Sequence, residues 1–227
     1  GARTGGQRLG GSSARPRAPR RHAKKKTFHA SERDTERVMT ARSDFKSKLV
    51  PTLSAENLVF VDECSSNAAM ARQYGRGPSG QRVHDAAPVN YGENLTIIGA
   101  LTLRGLEAVM TIPGATTGAV FLTFVKEVLC PVLRRGQVVI MDNLAAHKVA
   151  GIRKAIEDVG ATLLYLPSYS PDLNPIEPAW SKLKNGLRSL RARTEDALVA
   201  AVGSVMRTLT AEDSRGWFRY CGYDPST

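Results

Sequence analysis

Residues 94–112 read NLTIIGALTLRGLEAVMTI, two apolar and β-branched runs on either side of Arg104 and Gly105. A two-residue joint of this kind suits a tight turn between antiparallel strands, so this stretch predicts a β-hairpin. Upstream, the short apolar run LVFVD (58–62) predicts a buried strand. The first three strands are therefore expected to be consecutive and antiparallel.

Beyond the hairpin, helical and strand-like patterns alternate. The predicted elements are helices at 118–135 and 148–160 and strands at 137–142 and 161–167. A β-α-β-α-β order implies parallel pairing of the later strands. The sequence therefore predicts an α/β domain with a mixed five-stranded sheet flanked by helices. This is the strand order of a ribonuclease-H-like fold, the fold of retroviral integrases.

We expect three parts along the 227 residues: a basic arm at 1–26, a linker with an entry helix at 27–57, and one globular domain at 58–227. The arm holds nine basic residues and no acid, in a chain whose net charge is +11. Its Gly-, Arg-, Pro- and Ser-rich composition predicts disorder and attraction to phosphates without sequence reading. A leader that only keeps the chain soluble is the alternative.

The cysteine content and the hydropathy limit the cellular setting. Cys64, Cys130 and Cys221 are too few and too far apart for a disulfide framework or a thiolate metal cluster, which favours a reducing cytosol. No apolar run approaches the roughly 18 residues needed to span a bilayer, and no apolar signal-peptide segment follows the basic arm. We therefore expect a cytoplasmic protein with no membrane partner.

Three carboxylates fall at the ends of predicted elements. Asp62 is expected to end the first strand, Asp142 to end the fourth, and Glu177 to begin the helix after the fifth. Chemistry in an α/β sheet sits at the carboxyl ends of its strands, so these acids should share one edge. An all-oxygen site suits Mg²⁺ or Mn²⁺ rather than zinc. Two such ions, about 3.5–4 Å apart, can activate the attacking oxygen and stabilise the leaving oxygen of a phosphodiester.

Each acid also has a purely structural explanation. Asp62 and Asp142 could each accept a hydrogen bond within a local turn. Glu177 could complete a capping box, because Asn174 is a suitable N-cap and Pro175 suits the first helical position. Taken singly, each acid is explained better by structure than by catalysis.

The helix predicted at 175–191 favours catalysis, because Glu177 heads a row of cations. Apolar residues fix the buried face of this helix: Ile176, Trp180, Leu183, Leu187 and Leu190. A carboxylate ahead of a basic row suits an enzyme acting on a phosphodiester backbone, although a merely solvated face is the alternative. The residues expected to contact DNA phosphates are Lys184, Arg188 and Arg191 on this helix and Arg72, Arg76 and Arg82 in the loop at 64–92.

Three segments carry a family resemblance: VFVDE (59–63), VVIMDNLAAHK (138–148) and LPSYSPDLNPIEPAWSKLK (166–184). They resemble the Asp-Asp-Glu transposases of bacterial insertion sequences, in the mariner-like superfamily. The 34 residues between Asp142 and Glu177 match the spacing typical of that superfamily. The resemblance implies a ribonuclease-H-like domain that uses Mg²⁺ to hydrolyse DNA at the ends of an element. The freed 3′-hydroxyl then attacks target DNA.

The same resemblance assigns roles to individual residues. Asp62, Asp142 and Glu177 would be the catalytic metal ligands. Three residues of the matching segments would support those ligands or contact DNA: Asn143, His147 and Asn174. His147 is explained better as an ordinary residue at the start of a helix than as a catalytic residue.

The resemblance also implies partners. Double-stranded DNA is expected, both as transposon ends and as target, together with a second copy of the chain in a dimer or larger assembly. Residues 1–26 hold too few apolar residues to fold as a helix-turn-helix module. A separately encoded DNA-binding subunit is one further expected partner; the alternatives are that the DNA-binding half was lost or that residues 1–26 are read from a disrupted gene. In a bacterial cell such a protein would be cytoplasmic and associated with the nucleoid.

Two other functions fit the same sequence. A ribonuclease H, or another nuclease of this fold, would cut without strand transfer, and activity on an RNA–DNA hybrid would distinguish it. An inactive, DNA-binding relic of a transposase would fit the abnormal basic arm, although all three acids are present.

Overall fold

The computed structural model describes residue 1 and residues 29–72, 74–90 and 92–224. Apart from Gly1, the predicted arm at 1–26 lies outside the described residues. The boundaries predicted for the three parts of the chain stay a prediction.

Five strands form one mixed sheet. They are β1 (Leu58–Ser66), β2 (Leu95–Thr102), β3 (Gly105–Pro113), β4 (Val138–Met141) and β5 (Thr162–Tyr165). Their spatial order is β3-β2-β1-β4-β5. β1 pairs antiparallel with β2, and β2 pairs antiparallel with β3, whereas β4 runs parallel to β1 and β5 runs parallel to β4. The predicted sheet, three antiparallel strands followed by crossovers, is confirmed.

Helices cover both faces of the sheet. They are α1 (Glu36–Asp44), α2 (Gly118–Thr123), α3 (Ile152–Asp158), α4 (Ile176–Leu190), α5 (Glu195–Met206) and α6 (Ala211–Tyr220). Neighbouring residues of β1 point to opposite faces, as the pleat of a strand requires. Phe60 therefore packs in the core beneath α4, α5 and α6, and Val61 packs in the core beneath α2 and α3.

Two predicted helices differ in extent from the observed ones. The helix predicted at 118–135 is a regular α-helix only in its first part, α2. It continues as a wider π-turn at Phe124–Leu129 and then as a tighter 3₁₀ turn at Cys130–Val132. The helix predicted at 148–160 begins only at Ile152, because Gly151 before it has a φ of 98°. That left-handed conformation is incompatible with a right-handed helix and favours glycine.

α4 lies across the sheet close to β2. A Cβ added at Gly99 of β2 would lie 2.7 Å from the ring of Trp180, so the absent side chain permits this approach. Four of the five predicted apolar positions of α4 are buried. Leu190 is 52% exposed, because the helix ends at that residue.

β1 extends to Ser66, so the prediction that Asp62 ends the first strand is wrong. The reason is that β1 has neighbours of unequal length. Its residues 58–61 pair with the short β4, whereas its pairing with β2 continues to Ser66. Asp62 is therefore the first residue beyond the parallel pairing, with β4 no longer beside it.

No helix within the described ranges is long and apolar enough to cross a membrane.

Candidate active site

The three predicted catalytic acids line one open cavity of about 440 Å³. Asp142 follows β4 directly, Asp62 lies just beyond the last residue of β1 paired with β4, and Glu177 lies in the first turn of α4. The wall opposite is residues 166–171, the chain that leaves β5. The sheet thus places Asp62 and Asp142 at one edge, as expected for the carboxyl ends of parallel strands, and α4 brings Glu177 to the same cavity.

Asp62 is the most buried of the three acids, with 8% of its surface exposed. Its Oδ1 accepts a hydrogen bond from the Glu63 N–H at 2.8 Å, and its Oδ2 accepts one from Asn174 Nδ2 at 3.2 Å. Burial, followed by repulsion from Glu177, raises the pKa of Asp62 to about 8. A carboxylate whose anion is disfavoured in this way is one that a bound cation would stabilise.

Asp142 is half-buried and also lines the cavity. Its Oδ1 accepts a hydrogen bond from the Leu144 N–H at 3.1 Å, which is the local turn that the structural explanation predicted. The same oxygen lies 2.6 Å from Nδ1 of His147. Asp142 therefore makes a local structural contact and also lines the cavity.

His147 is a fully buried residue that joins two carboxylates. Its Nε2 lies 2.8 Å from Oε2 of Glu63 and its Nδ1 lies 2.6 Å from Oδ1 of Asp142. The Nδ1 contact is short but lies off the N–H direction, so it is an ion-pair contact rather than a straight hydrogen bond. The ring of Phe121 covers the imidazole, with 4.1 Å between centroids.

Two opposing effects set the charge of this imidazole. Burial alone would lower the pKa of His147, but the contacts with Asp142 and Glu63 outweigh it and raise the pKa to about 10. At neutral pH the ring is therefore a buried imidazolium that can donate through both nitrogens. The sequence did not predict a role for Glu63. The one feature that could have indicated such a role is its position directly after Asp62.

Asn174 supports Asp62 instead of capping α4. It is 3% exposed, and its Nδ2 donates to Asp62 while its Oδ1 is buried without a partner. α4 begins after Pro175 with no side-chain cap, so the capping box considered for Glu177 does not form. Glu177 is exposed to solvent. Partial burial of its carboxyl group nevertheless raises its pKa, and the positive charge of Lys184 opposes this shift.

The oxygen donors around the cavity suit a hard divalent cation. They are the carboxylates of Asp62, Asp142 and Glu177 together with the unpartnered carbonyl oxygen of Asn174. Across the described residues no three His, Cys, Asp or Glu side chains already form a metal cluster. The carboxylates therefore share the cavity without converging on one point.

The cavity loop, defined here as residues 167–174, is held from two sides. The buried guanidinium of Arg42 on α1 donates to the Tyr169 carbonyl at 3.1 Å, to Ser170 Oγ at 2.6 Å and to Asp172 Oδ2 at 2.8 Å. On the other side, the Tyr223 hydroxyl donates to the Leu173 carbonyl at 2.9 Å. These contacts fix the wall of the cavity even though the loop has little regular secondary structure.

The six predicted phosphate contacts lie outside the described lining of the cavity. Arg191 forms an ion pair with Asp85 at 2.9 Å, and Arg188 donates to Asn185 at 3.0 Å. Arg72 donates to Ser189 Oγ at 3.3 Å, which brings the start of its loop onto α4. Lys184 is half-buried, and Arg76 and Arg82 are exposed. Asn143, by contrast, lines the cavity and donates to Ser168 Oγ at 3.4 Å.

A family model described as DDE superfamily endonuclease matches residues 57–199, a range that contains all three acids. The chain belongs to this family. Over 63 residues, this DDE superfamily endonuclease is 41% identical to the transposable element Tc1 transposase of Caenorhabditis elegans. That match covers 28% of the chain and 23% of the relative.

Solved structures show the fold of this DDE superfamily endonuclease. A pre-cleavage Mos1 transpososome matches with a TM-score of 0.72 and 16% identity, over 88% of this chain and 64% of the other. The Mos1 transposase catalytic domain, solved with raltegravir and Mg, matches with a TM-score of 0.63 and 17% identity, over 85% and 92%. The predicted ribonuclease-H-like fold is confirmed, and the family model confirms the predicted membership of the Asp-Asp-Glu superfamily. The chain spans less than two thirds of the Tc1 transposase and of the transpososome chain.

Proposed function

We propose that this chain is the catalytic part of a DNA transposase. It would hydrolyse phosphodiester bonds at the ends of an element and then transfer the freed 3′-hydroxyl into target DNA. The observation that carries the proposal is the single cavity lined by Asp62, Asp142 and Glu177 in a DDE superfamily endonuclease. The 41% identity to the Tc1 transposase over 63 residues supports DNA as the substrate.

Asp62, Asp142 and Glu177 would hold Mg²⁺, for which Mn²⁺ would substitute, in a site for two ions. The chemistry that the metal supplies when bound is activation of the attacking oxygen and stabilisation of the leaving oxygen. Support comes from the oxygen-only donor set and from the raised pKa of Asp62, whose anion a cation would favour. The Mos1 catalytic domain, which shares the fold, was solved with Mg.

The chain's own residues would keep the acids in position. Asn174 and the Glu63 N–H hold the two oxygens of Asp62, and His147 holds one oxygen of Asp142. Because the imidazolium also binds Glu63, the charge of that acid is balanced inside the protein. Residues that orient metal ligands in this way commonly change metal affinity or activity 10- to 100-fold when they are removed.

DNA would lie across the cavity and along the exposed face of α4. We propose Lys184, Arg188 and Arg191, with Arg72, Arg76 and Arg82 in the neighbouring loop, as contacts to its phosphates. A dimer or larger assembly on DNA, a separately encoded helix-turn-helix subunit and a nucleoid-associated location in the cytoplasm are further parts of this proposal. The transposase complexes formed by Mos1 support assembly on DNA.

A plasmid-nicking assay with Mg²⁺ or Mn²⁺ tests the proposal, followed by an assay for joining of a 3′-hydroxyl end to target DNA. Asp142→Asn should abolish nicking while leaving DNA binding largely intact, because it removes a metal ligand and no phosphate-binding cation. Asp158→Asn is the matched control, since Asp158 is an exposed acid of α3 paired with Lys154.

Each other outcome has a definite meaning. Nicking without end joining, together with cleavage of an RNA–DNA hybrid, would identify a nuclease of this fold. Equal nicking by Asp142→Asn would refute the site. No nicking by a folded parent chain, even with a helix-turn-helix subunit added, would identify an inactive relic.

A further inference from the structure

The cavity has a basic residue that lies outside the range matched by the family. Arg37, on α1, lines the cavity together with Asp62 and Asp142. Among the described residues that line it, Arg37 is the one cation. The family match begins at residue 57, so α1, the predicted entry helix, contributes to the cavity from outside the matched range.

Among the described residues, Arg37 differs from Arg33 and Arg42 of the same segment in having no charged or hydrogen-bonding partner. Arg33 and Arg42 both bind Asp172, at 3.3 Å and 2.8 Å. Arg37 is exposed and makes no ion pair or side-chain hydrogen bond to any part of the chain that the structure describes. Its charge is therefore available to a ligand.

α1 is fixed firmly enough to present that charge at a defined place. Val38, the next residue, is 2% exposed, and Phe45 at the end of the helix is 6% exposed. Arg42, one turn further along, anchors the helix to the cavity loop through three hydrogen bonds. The backbone that carries Arg37 is therefore held against the same loop that forms the cavity wall.

The ligand that suits this position is an anion beside the acidic centre. A guanidinium on the rim of a cavity lined by three carboxylates, yet paired with none of them, matches the phosphates of a DNA strand that enters the cavity. We propose that Arg37 binds a backbone phosphate of the strand next to the bond being cleaved. This inference rests on the proposed function, and it makes the entry helix part of the DNA-binding surface.

The test compares Arg37→Ala, Arg37→Lys and Lys48→Ala with the parent chain. Lys48 is the matched control because it is an exposed cation of the same segment that pairs with Asp44 at 2.8 Å. Binding of a random-sequence duplex of about 30 base pairs, chosen to cover several charges on each strand, is measured without metal over a series of salt concentrations. Nicking kinetics are then measured with Mg²⁺, and thermal unfolding verifies that each variant is folded.

Arg37→Ala should weaken binding about tenfold and reduce the slope of log affinity against log salt by about one. The KM for nicking should rise more than kcat falls, because the contact stabilises the ground state and the transition state equally. Arg37→Lys should retain the salt slope because it keeps the charge, and Lys48→Ala should match the parent.

Unchanged affinity and salt slope in Arg37→Ala, with a parent chain that nicks DNA and an Asp142→Asn variant that does not, would overturn this inference alone. An equal loss in Lys48→Ala would also overturn it, because the effect would then belong to net charge. A folded parent that neither binds nor nicks DNA would overturn both this inference and the proposed function.

Discussion

Replacing His147 by Gln should destabilise the protein and impair its site through one buried ion network. The imidazole is fully buried, and its partners Glu63 and Asp142 have 17% and 35% of their side chains exposed. Removing one partner of a buried ion pair costs about 3–5 kcal/mol, chiefly because the other charge stays buried. Asp142 can be rehydrated here, so the lower end, about 3 kcal/mol, applies.

Urea unfolding measures this loss, and plasmid nicking with Mg²⁺ measures the effect on the site. His147→Gln should lower nicking about 10- to 100-fold, because Asp142 loses the group that orients it. Lys148→Gln is the control, since that neighbouring residue is exposed. Adding Glu63→Gln to His147→Gln should restore part of the stability, because the stranded charge is removed, but it should not restore nicking.

A free energy of unfolding of His147→Gln within about 0.5 kcal/mol of the parent, the range of ordinary surface changes, would contradict this prediction. A further loss of stability when Glu63→Gln is added to His147→Gln would contradict it equally. Either result would mean that the buried imidazolium does not balance Glu63.

Two further predictions concern the cavity wall. Asn174→Ala should raise the Mg²⁺ concentration needed for half-maximal nicking, because Asp62 loses the amide that holds its Oδ2; an unchanged metal titration would contradict that role. Burial alone would raise the pKa of Asp172, but its contacts with Arg42, Arg33 and Lys46 together outweigh burial and lower the pKa below its ordinary value of 3.8. These contacts therefore contribute stability above pH 3.8 that is lost as the pH falls through the folded pKa. Urea unfolding between about pH 2.5 and 6 should therefore show a smaller acid-induced loss in Asp172→Asn than in the parent, and parallel curves would refute the assignment.

The fold could be predicted because its determinants are local. Each of the five strands contains a short apolar run, and the hairpin turns where Arg104 and Gly105 interrupt two such runs. Chain order then limits the pairing, since crossovers through helices produce parallel neighbours. The end of β1 could not be predicted, because it depends on how far two different neighbours extend beside it.

The site could be predicted only in part, because its supports are long-range. The three acids stand at recognisable places in the sequence, but Glu63 and His147 are 84 positions apart and no local pattern links them. The sequence suggests that Asn174 caps α4, which would be a local contact, but its side chain instead donates to Asp62, 112 positions away. Arg37 lies on a polar helix whose sequence gives no sign that it faces a cavity.

The two anchors of the cavity loop also bear on the order of folding. The Arg42 contacts close separations of 127 to 130 residues, and the Tyr223 contact closes one of 50. Closing such spans requires the rest of the domain to be in place, so the loop is expected to be among the last parts to settle. Asp62 and Asp142 can therefore be brought together by the sheet before the cavity has its wall. A nascent chain would acquire its complete cavity only once residues on both sides of the sheet-forming segment had docked.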